Sequence, residues 1–147
     1  MKNLFVENNL KYRINKKTVH SIISKLKKEF QFKVLFLEIN FVDSKQISDI
    51  NESYLSHKGS TDIITFNYSK DTFNLDGECY ICVPDAIENA KKYKISVQNE
   101  LLRLIIHGVL HLLGYDDTKE PEKKKMKKEE NRLVNLFFNN DLRIIRE

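Results

Sequence analysis

The stretch SVQNELLRLIIHGVLHLLG, residues 96–114, contains the longest apolar run of the chain and predicts its central helix. Ser96 can cap this helix, because a serine oxygen accepts a hydrogen bond from the free N–H groups of a first turn. The residues that follow are apolar almost all round, which is typical of a helix buried on every side. Gly114 can end the helix, since glycine readily adopts the left-handed conformation of a C-cap. We therefore expect a helix that runs to about Leu113 and is the central, buried helix of the protein.

Shorter elements surround this helix, and strands and helices follow one another without a strict β-α-β repeat. Runs rich in β-branched and aromatic residues predict strands at residues 4–14, 34–42, 61–66 and 79–83. Apolar residues at helical spacing predict helices at residues 19–30, 47–54, 84–93 and 126–137, the first with Thr18 as its cap. We expect the last helix to dock through Met126, Leu133, Leu136 and Phe137. The sequence therefore predicts an α+β fold, with a small mixed four-stranded sheet packed with about five helices in a single domain over residues 1–147.

The composition is that of an ordinary folded protein rather than a disordered one, with 41% apolar and 31% charged residues in a chain of 147. This length is near that of one domain and suffices to bury a core. The first residues contain no apolar run long enough for a signal peptide, and charged and histidine side chains interrupt the run at residues 101–113. These features predict a cytoplasmic protein without a role at the membrane.

The two cysteines, Cys79 and Cys82, lie in a segment that alternates like a strand. Residues three apart on a strand face opposite sides, so the two thiols would neither share a metal nor pair comfortably. Redox and zinc sites with this spacing need a turn. We therefore interpret both cysteines as small apolar strand residues.

The net charge of +4 and the lysines near both termini permit attraction to a polyanion such as RNA. The segment KKKMKK at residues 123–128 lies on a predicted helix beside three glutamates. A solvated helical face is the simpler interpretation of this segment, because charged residues of both signs on one helix are typical of contact with water.

Two of the four histidines, His107 and His111, lie four residues apart on the central helix. Side chains at this spacing stack on one helical face and can hold one metal ion between them. Gly114 then lets the chain fold back, so that Asp117 can act as a third ligand, with Asp116 as the alternative. Three such ligands leave the fourth position of a tetrahedral zinc ion to water, which is the arrangement of a catalytic site. The spacing predicts one Zn²⁺ ion per chain, which lowers the pKa of its bound water to about 7.

The alternative for these histidines is that each is an ordinary core residue with its own polar partner. Two imidazoles in one buried stripe would each lose about 1–3 kcal/mol if left unpaired, whereas a shared metal satisfies both. The pattern is similar to the zinc-protease motif, but Gly108 stands where a protease has its general-base glutamate, which disfavours proteolysis. Because glycine within a helix costs about 1 kcal/mol relative to alanine, Gly108 also indicates that another group approaches closely.

The segment HGVLHLLGYD, residues 107–116, resembles the signature of the YbeY family of bacterial single-strand endoribonucleases. The resemblance covers most of the chain from Asn51 onward and includes TDIITF at residues 61–66, Gly77-Glu78, Glu100-Leu101, Met126 and Glu130. It implies a zinc-bound α+β enzyme that cleaves RNA rather than DNA, in the 3′-end maturation of 16S rRNA and in ribosome quality control. It also implies rRNA, the small ribosomal subunit and a ribosome-assembly GTPase as partners.

Two positions depart from the family pattern. The family usually has a third histidine where this chain has Asp117, and a carboxylate ligand would make the metal a weaker Lewis acid and its water less acidic. Leu55 stands where the family has an arginine that the resemblance implies is important for activity. Other cations would then stabilise the charge on the scissile phosphate. The catalytic candidates for this role are His57, Lys58 and Arg103, and a helix-end role for Arg103 is an equal alternative.

Two other functions are compatible with the sequence. A metal-dependent hydrolase of another substrate, such as a peptidase or an amidohydrolase, would use the same ligands, but Gly108 disfavours the peptidase and the basic balance favours RNA. A ribosome-assembly factor with weak or no catalysis, whose metal stabilises the fold, would explain Leu55. Metal analysis combined with an assay on precursor small-subunit rRNA separates these hypotheses.

Overall fold

The computed structural model describes residues 2–55, 59 and 61–146. Along this part of the chain the elements are β1 (Leu4–Asn8), β2 (Arg13–Ile14), α1 (Lys16–Phe30), β3 (Lys33–Val42), α2 (Ser44–Leu55), β4 (Ile63–Asn67), β5 (Asn74–Cys82), α3 (Val83–Tyr93), α4 (Val97–Leu112), α5 (Glu122–Phe137) and β6 (Ile145–Arg146). The main sheet has the strand order β1-β3-β5-β4, in which β4 alone is antiparallel to its neighbour. A small second sheet pairs β2 with β6. For the described residues, this architecture confirms the predicted α+β fold with a mixed four-stranded sheet and five helices.

The main core lies between one face of the sheet and the helices α1, α3, α4 and α5. α4 is its centre, because it contacts α3, α5, β4 and β5 and most of its residues are buried. α2 covers one end of the opposite sheet face, in a smaller cluster formed by Val42, Ile47, Ile64 and Cys82. The prediction of a central, buried helix is confirmed.

Both ends of α4 follow from local chemistry. The Ser96 hydroxyl accepts a hydrogen bond from the backbone N–H of Asn99 at 3.0 Å, as expected of an N-cap. The helix ends at Leu112, and Gly114 has a φ of +99°, a conformation that favours glycine. Although α4 is strongly apolar, no helix among the described residues has the length and apolar content required to cross a membrane.

Two glycines allow α4 to lie close to the sheet. A Cβ atom at Gly108 would lie 2.9 Å from Sγ of Cys79 on β5, which is too close for a real side chain. A Cβ atom at Gly77 on β5 would lie 2.5 Å from the carbonyl oxygen of Phe66 and 2.8 Å from a methyl carbon of Leu112. The close approach expected at Gly108 is therefore confirmed, and the approaching group is the thiol of Cys79. A protease-type glutamate has no space at this position.

The two cysteines face opposite sides of the sheet. Cys79 belongs to the main core, and Cys82 belongs to the smaller cluster beside α2. Both are free and buried, and burial raises the pKa of the Cys79 thiol to about 12. The interpretation of these residues as small apolar strand residues is confirmed.

The prediction of one first strand over residues 4–14 is wrong. β1 ends at Asn8, whose side-chain oxygen accepts from the N–H of Leu10 at 3.0 Å and whose amide donates to the carbonyl of Tyr12 at 2.7 Å. Asparagine favours turns through such bonds to its own backbone. The chain therefore leaves the main sheet, and Arg13 pairs with Arg146 near the other end of the protein.

Three smaller predictions also differ from the structure. Asn15 rather than Thr18 caps α1, and its side chain accepts a hydrogen bond from the N–H of Thr18 at 3.2 Å. β5 begins at Asn74 rather than at residue 79, because its polar first residues pair with β3. Leu136 does not dock and is 59% exposed, whereas the buried members of that set are Met126, Leu133 and Phe137.

Candidate metal centre

α4 places two imidazoles side by side near its C-terminal end. His107 and His111 lie one turn apart, with ring centroids 4.9 Å apart. The chain then reverses at Gly114, whose N–H donates to the carbonyl of His111 at 3.0 Å. This reversal brings Asp117 back to the two rings, with its Oδ2 atom 3.4 Å from Nε2 of His107 and 3.2 Å from Nε2 of His111.

The three side chains fit a divalent metal ion. Their nitrogen and oxygen atoms all lie within 4.8 Å of one another, and imidazole and carboxylate are the ligand types of zinc and related ions. Ligands bound at about 2.0–2.1 Å around a tetrahedral ion lie about 3.3 Å apart. The two distances from Asp117 match that spacing. All three residues are partly exposed, so a further ligand can reach the ion from solvent.

Asp117, rather than the neighbouring Asp116, reaches the histidines. Oδ1 of Asp116 accepts hydrogen bonds from the N–H of Thr118 at 2.9 Å and from its hydroxyl at 2.7 Å. The pKa of Asp116 is lowered most by the hydrogen bond from the backbone N–H of Thr118 and next by the bond from the Thr118 hydroxyl. These bonds hold Asp116 in the turn that follows α4. The sequence left both aspartates as candidates, and the course of the turn brings Asp117 to the imidazoles.

The other ring nitrogen of His107 contacts a buried carboxylate on α5. Oε2 of Glu130 lies 2.8 Å from Nδ1 of His107, and Oε1 lies 2.8 Å from Nη1 of Arg103. Burial by itself would raise the pKa of Glu130, but the hydrogen bonds from His107 and Arg103 outweigh it and lower this pKa to about 2. Burial by itself would lower the pKa of His107. The hydrogen bond to Glu130 and the negative charge of Glu130 outweigh burial, so the pKa of His107 is raised.

Sequence reasoning did not assign Glu130 to the site. From the sequence, Glu130 is expected on a solvated helical face and belongs only to the family resemblance. Its spacing could have indicated that it is buried. Glu130 follows Met126 by four residues and precedes Leu133 by three, so helical periodicity places it on the buried stripe of α5. An acid at such a position requires a polar or charged partner.

Of the three predicted cations, only Arg103 lies among the residues that the structure describes. Arg103 lines the same cleft as His107, but its Nη1 atom lies 2.8 Å from an oxygen of Glu130 and 2.8 Å from an oxygen of Asn131. His57 and Lys58 lie outside the described residues. Contact of these three cations with a phosphate group stays a prediction.

The candidate ligands face a cleft of about 940 Å³ that is lined by residues of α3, α4, α5 and the start of β4. On the α5 side its lining includes the exposed residues Lys123, Lys124 and Lys127. The lysine-rich face is therefore solvated, as expected, and it also borders the cleft. Elsewhere in the lining, Asp62 accepts a hydrogen bond from the amide of Asn89 at 3.3 Å. Burial raises the pKa of both Asp62 and Glu100, two cleft carboxyls that sequence reasoning did not assign to the site.

Comparison with known proteins gives consistent matches. Residues 4–137 match the family model described as endoribonuclease YbeY. The chain is 43% identical over 108 residues to the endoribonuclease YbeY of Amoebophilus asiaticus, covering 69% of this chain and 70% of that protein. It is 35% identical over 127 residues to that of Chlorobium phaeobacteroides, covering 86% and 89%. A solution structure from Thermotoga maritima superposes with a TM-score of 0.65 and 26% identity, covering 90% of this chain and 87% of that one.

The matched range contains every element that builds the candidate metal centre. It includes α4 with both histidines, the turn that carries Asp117, and α5 up to its last residue. The resemblance first noted at residues 107–116 therefore extends through the site and the surrounding fold. By the family model, by these relatives and by its fold, the chain belongs to the endoribonuclease YbeY family.

Proposed function

We propose that this protein is a zinc-dependent endoribonuclease that cleaves single-stranded rRNA, rather than DNA, in the cytoplasm. The family description supports RNA hydrolysis, and the three candidate ligands support metal-dependent chemistry. In this proposal residues 1–147 act as one hydrolase domain with one Zn²⁺ ion per chain. The substrate is the 3′ end of precursor 16S rRNA, and the enzyme also serves ribosome quality control. Its partners are rRNA, the small ribosomal subunit and a ribosome-assembly GTPase.

The observation that carries the proposal is a three-ligand set that opens to a cleft with exposed lysines along its α5 side. His107, His111 and Asp117 are each partly exposed, whereas a structural zinc site is closed by four protein ligands. Zinc bound there would supply a water molecule that becomes hydroxide near neutral pH. The α5 lysines at the cleft attract the phosphodiester backbone, because cations provide most of the sequence-independent affinity for nucleic acids.

Cations of the chain hold the scissile phosphate in this proposal. Lys127 has a side chain that is 61% exposed at the cleft, so it can turn toward a bound strand. His57 and Lys58 are further proposed contacts of the phosphate. Arg103 completes the predicted set, but its Nη1 atom already contacts Glu130 and Asn131, so it is the weakest candidate for this role.

Zinc analysis and a cleavage assay on the same variants test the proposal. His111→Ala should lose both bound zinc and cleavage of a single-stranded precursor of small-subunit rRNA. His20→Ala is the matched control, because His20 lies on α1 and does not line the cleft; it should keep both properties. Undiminished cleavage by the zinc-free His111→Ala protein would sink the proposal.

A second candidate function is a ribosome-assembly factor whose metal stabilises the fold, and Leu55 is the observation that favours it. This residue ends α2 and is 40% exposed where the family has an arginine. If the protein is an enzyme weakened by that loss, Leu55→Arg should cleave precursor rRNA faster than the natural chain. Zinc binding without cleavage by either form, together with accumulation of rRNA precursors in cells that lack the protein, would favour the assembly factor.

A further inference from the structure

We propose that Arg103 and Glu130 form a positioning pair that holds His107 in its metal-binding orientation, and that Arg103 acts through Glu130 rather than on the substrate. The proposal rests on the metal site of the proposed function but not on RNA cleavage. It assigns one role to two charged residues on different helices, and that role can be measured with zinc alone.

Glu130 lies where a carboxylate needs partners in defined positions. It is 4% exposed, among the apolar side chains of the α5 stripe. Moving a carboxylate out of water is strongly unfavourable unless other groups compensate it. Two groups of α4 do so, because Nδ1 of His107 lies 2.8 Å from one oxygen and Nη1 of Arg103 lies 2.8 Å from the other. Each oxygen of Glu130 is therefore held by a different side chain of the same helix.

The contact with Glu130 decides which nitrogen of His107 is available to a metal. An ionised carboxylate only accepts hydrogen bonds, so Nδ1 of His107 carries the proton. In the neutral ring the lone pair then lies on Nε2, the atom that faces Asp117 at 3.4 Å. Carboxylates behind metal-binding histidines orient the ring in this way and make it a stronger ligand.

His111 differs from His107 in this respect. Among the described residues, the polar contact found for His111 is the one from its Nε2 atom to Asp117. His107 makes the corresponding contact with Asp117 and also has the buried carboxylate of Glu130 behind it. The chain therefore orients one of the two candidate ligand histidines before a metal binds.

Arg103 is the cation that holds Glu130 in place. Its Nη1 atom contacts both Glu130 and Asn131 of α5 at 2.8 Å, and its side chain is only 23% exposed. Lys127 also approaches Glu130, but at 3.4 Å and from a side chain that is 61% exposed, where an ion pair contributes little. Because Arg103 precedes His107 by four residues, α4 presents both groups to one carboxylate.

The first test is the zinc affinity of the purified full chain, measured without RNA by competition with a chelator. Glu130→Gln keeps the shape of the side chain and removes its charge, and we expect zinc affinity to fall about 10–100-fold. Glu129→Gln is the matched control and should leave the affinity unchanged, because Glu129 pairs with Arg132 and does not line the cleft. An unchanged zinc affinity in Glu130→Gln would overturn the proposal.

Nitrogen-15 NMR of the His107 ring gives a readout that a merely structural role would not change. At a pH at which the ring is neutral, the natural protein should carry the proton on Nδ1. Glu130→Gln should show a mixture of the two tautomers, since an amide can both donate and accept. A ring protonated on Nε2 in the natural protein would contradict the proposal.

The second test separates the two roles of Arg103. If Arg103 acts through Glu130, Arg103→Met should weaken zinc binding by about tenfold without RNA, and much less when Glu130→Gln is already present. Arg132→Met, on the exposed side of α5, should have no effect. If Arg103 instead contacts only the substrate, zinc affinity should not change and the KM for RNA should rise, which would overturn the proposal.

These tests remain decisive if one variant fails to fold. Glu130→Asp keeps the charge but shortens the side chain. Its zinc affinity should lie between that of the natural protein and that of Arg103→Met. If both variants bound zinc as tightly as the natural protein, the proposal would be overturned. Zinc binding that depends on Arg103 and Glu130 in a protein without cleavage would contradict the proposed function alone. If the protein cleaves RNA and substitution of Arg103 or Glu130 leaves its zinc affinity unchanged, this inference alone would be contradicted.

Discussion

Different interactions dominate on the two sides of α4. On the side that faces the sheet, the position of the helix depends on space, since Gly108 lies against Cys79 with no room for another atom. On the side that faces α5, the chemistry of the helix depends on charge, since Arg103 and His107 share the carboxylate of Glu130. Apolar packing therefore sets where α4 lies, whereas polar contacts set what it can bind.

Substitutions on the two sides should therefore change two different quantities. A change on the sheet side should lower the free energy of unfolding and leave the zinc affinity of the folded protein intact. A change at a partly exposed ligand on the cleft side should lower zinc affinity and leave the stability of the metal-free protein nearly intact. The following variants test this separation.

The largest effect is expected at the third ligand. Asp117→Asn replaces a charged oxygen by a neutral amide, and zinc affinity should fall more than about 100-fold, beyond the range for residues behind the ligands. Because Asp117 is partly exposed, the unfolding midpoint of the metal-free protein should change little. Chelator competition and thermal denaturation measure the two quantities.

Two further variants sharpen this result. Asp116→Asn should bind zinc like the natural protein, because Asp116 contacts Thr118 and an amide oxygen can still accept those bonds. Equal losses in Asp116→Asn and Asp117→Asn would remove Asp117 from the ligand set. Asp117→His should retain zinc and make its bound water more acidic, so that the rise in cleavage with pH should begin at a lower pH.

The next largest effect is expected on the sheet side. Gly77→Ala would place its Cβ atom 2.5 Å from the carbonyl oxygen of Phe66, and backbone cannot move away as a side chain can. We expect a loss of about 3 kcal/mol in the free energy of unfolding, the upper end for overpacking. Urea denaturation measures it, and an unchanged midpoint would contradict the close contact. The folded fraction should still bind one zinc ion per chain.

A smaller effect is expected at Gly108. Overpacking against Cys79 costs about 1–3 kcal/mol, but alanine gains about 1 kcal/mol over glycine in a helix, so Gly108→Ala should lose about 1 kcal/mol. In a Cys79→Ala background the sulfur atom is gone and the loss should shrink. A double-mutant cycle by urea denaturation measures the coupling between the substitutions at Gly108 and Cys79. An absent coupling would show that Cys79 is not the group that clashes with the added methyl group.

The smallest effect is expected from thiol reagents on the native protein. Burial raises the pKa of Cys79 to about 12 and also raises the pKa of Cys82, so little reactive thiolate forms at mildly alkaline pH. Neither thiol should be labelled until the protein unfolds, and the labelling rate in urea should follow unfolding. Rapid labelling of native Cys79 would contradict the packing of α4 on β5.

Local features of the site could be predicted because neighbouring residues determine them. The shared face of His107 and His111 follows from the period of the helix, and the caps at Ser96 and Gly114 follow from the chemistry of single residues. The close approach at Gly108 was expected for the same reason, since glycine inside a helix needs an explanation. Each of these inferences requires only residues a few positions apart.

Strand pairing was harder to predict because it depends on a partner elsewhere in the chain. Arg13 was assigned to the first strand, but it pairs with Arg146 in a separate sheet. Asn74 falls outside the strand predicted at residues 79–83, but it lies opposite Lys33 on β3. In both cases the local composition was a weaker influence than hydrogen bonds to a distant strand.

The sequence by itself determined the helix, its two imidazoles and the glycine turn that lets an aspartate return to them. Only the tertiary structure decided that Asp117 rather than Asp116 reaches the rings, and that Glu130, 23 residues after His107, holds the opposite nitrogen. The physical reason is the distance along the chain over which each interaction acts. Helical period and glycine conformation act between near neighbours, whereas a buried carboxylate finds its partners only when α4 and α5 pack together.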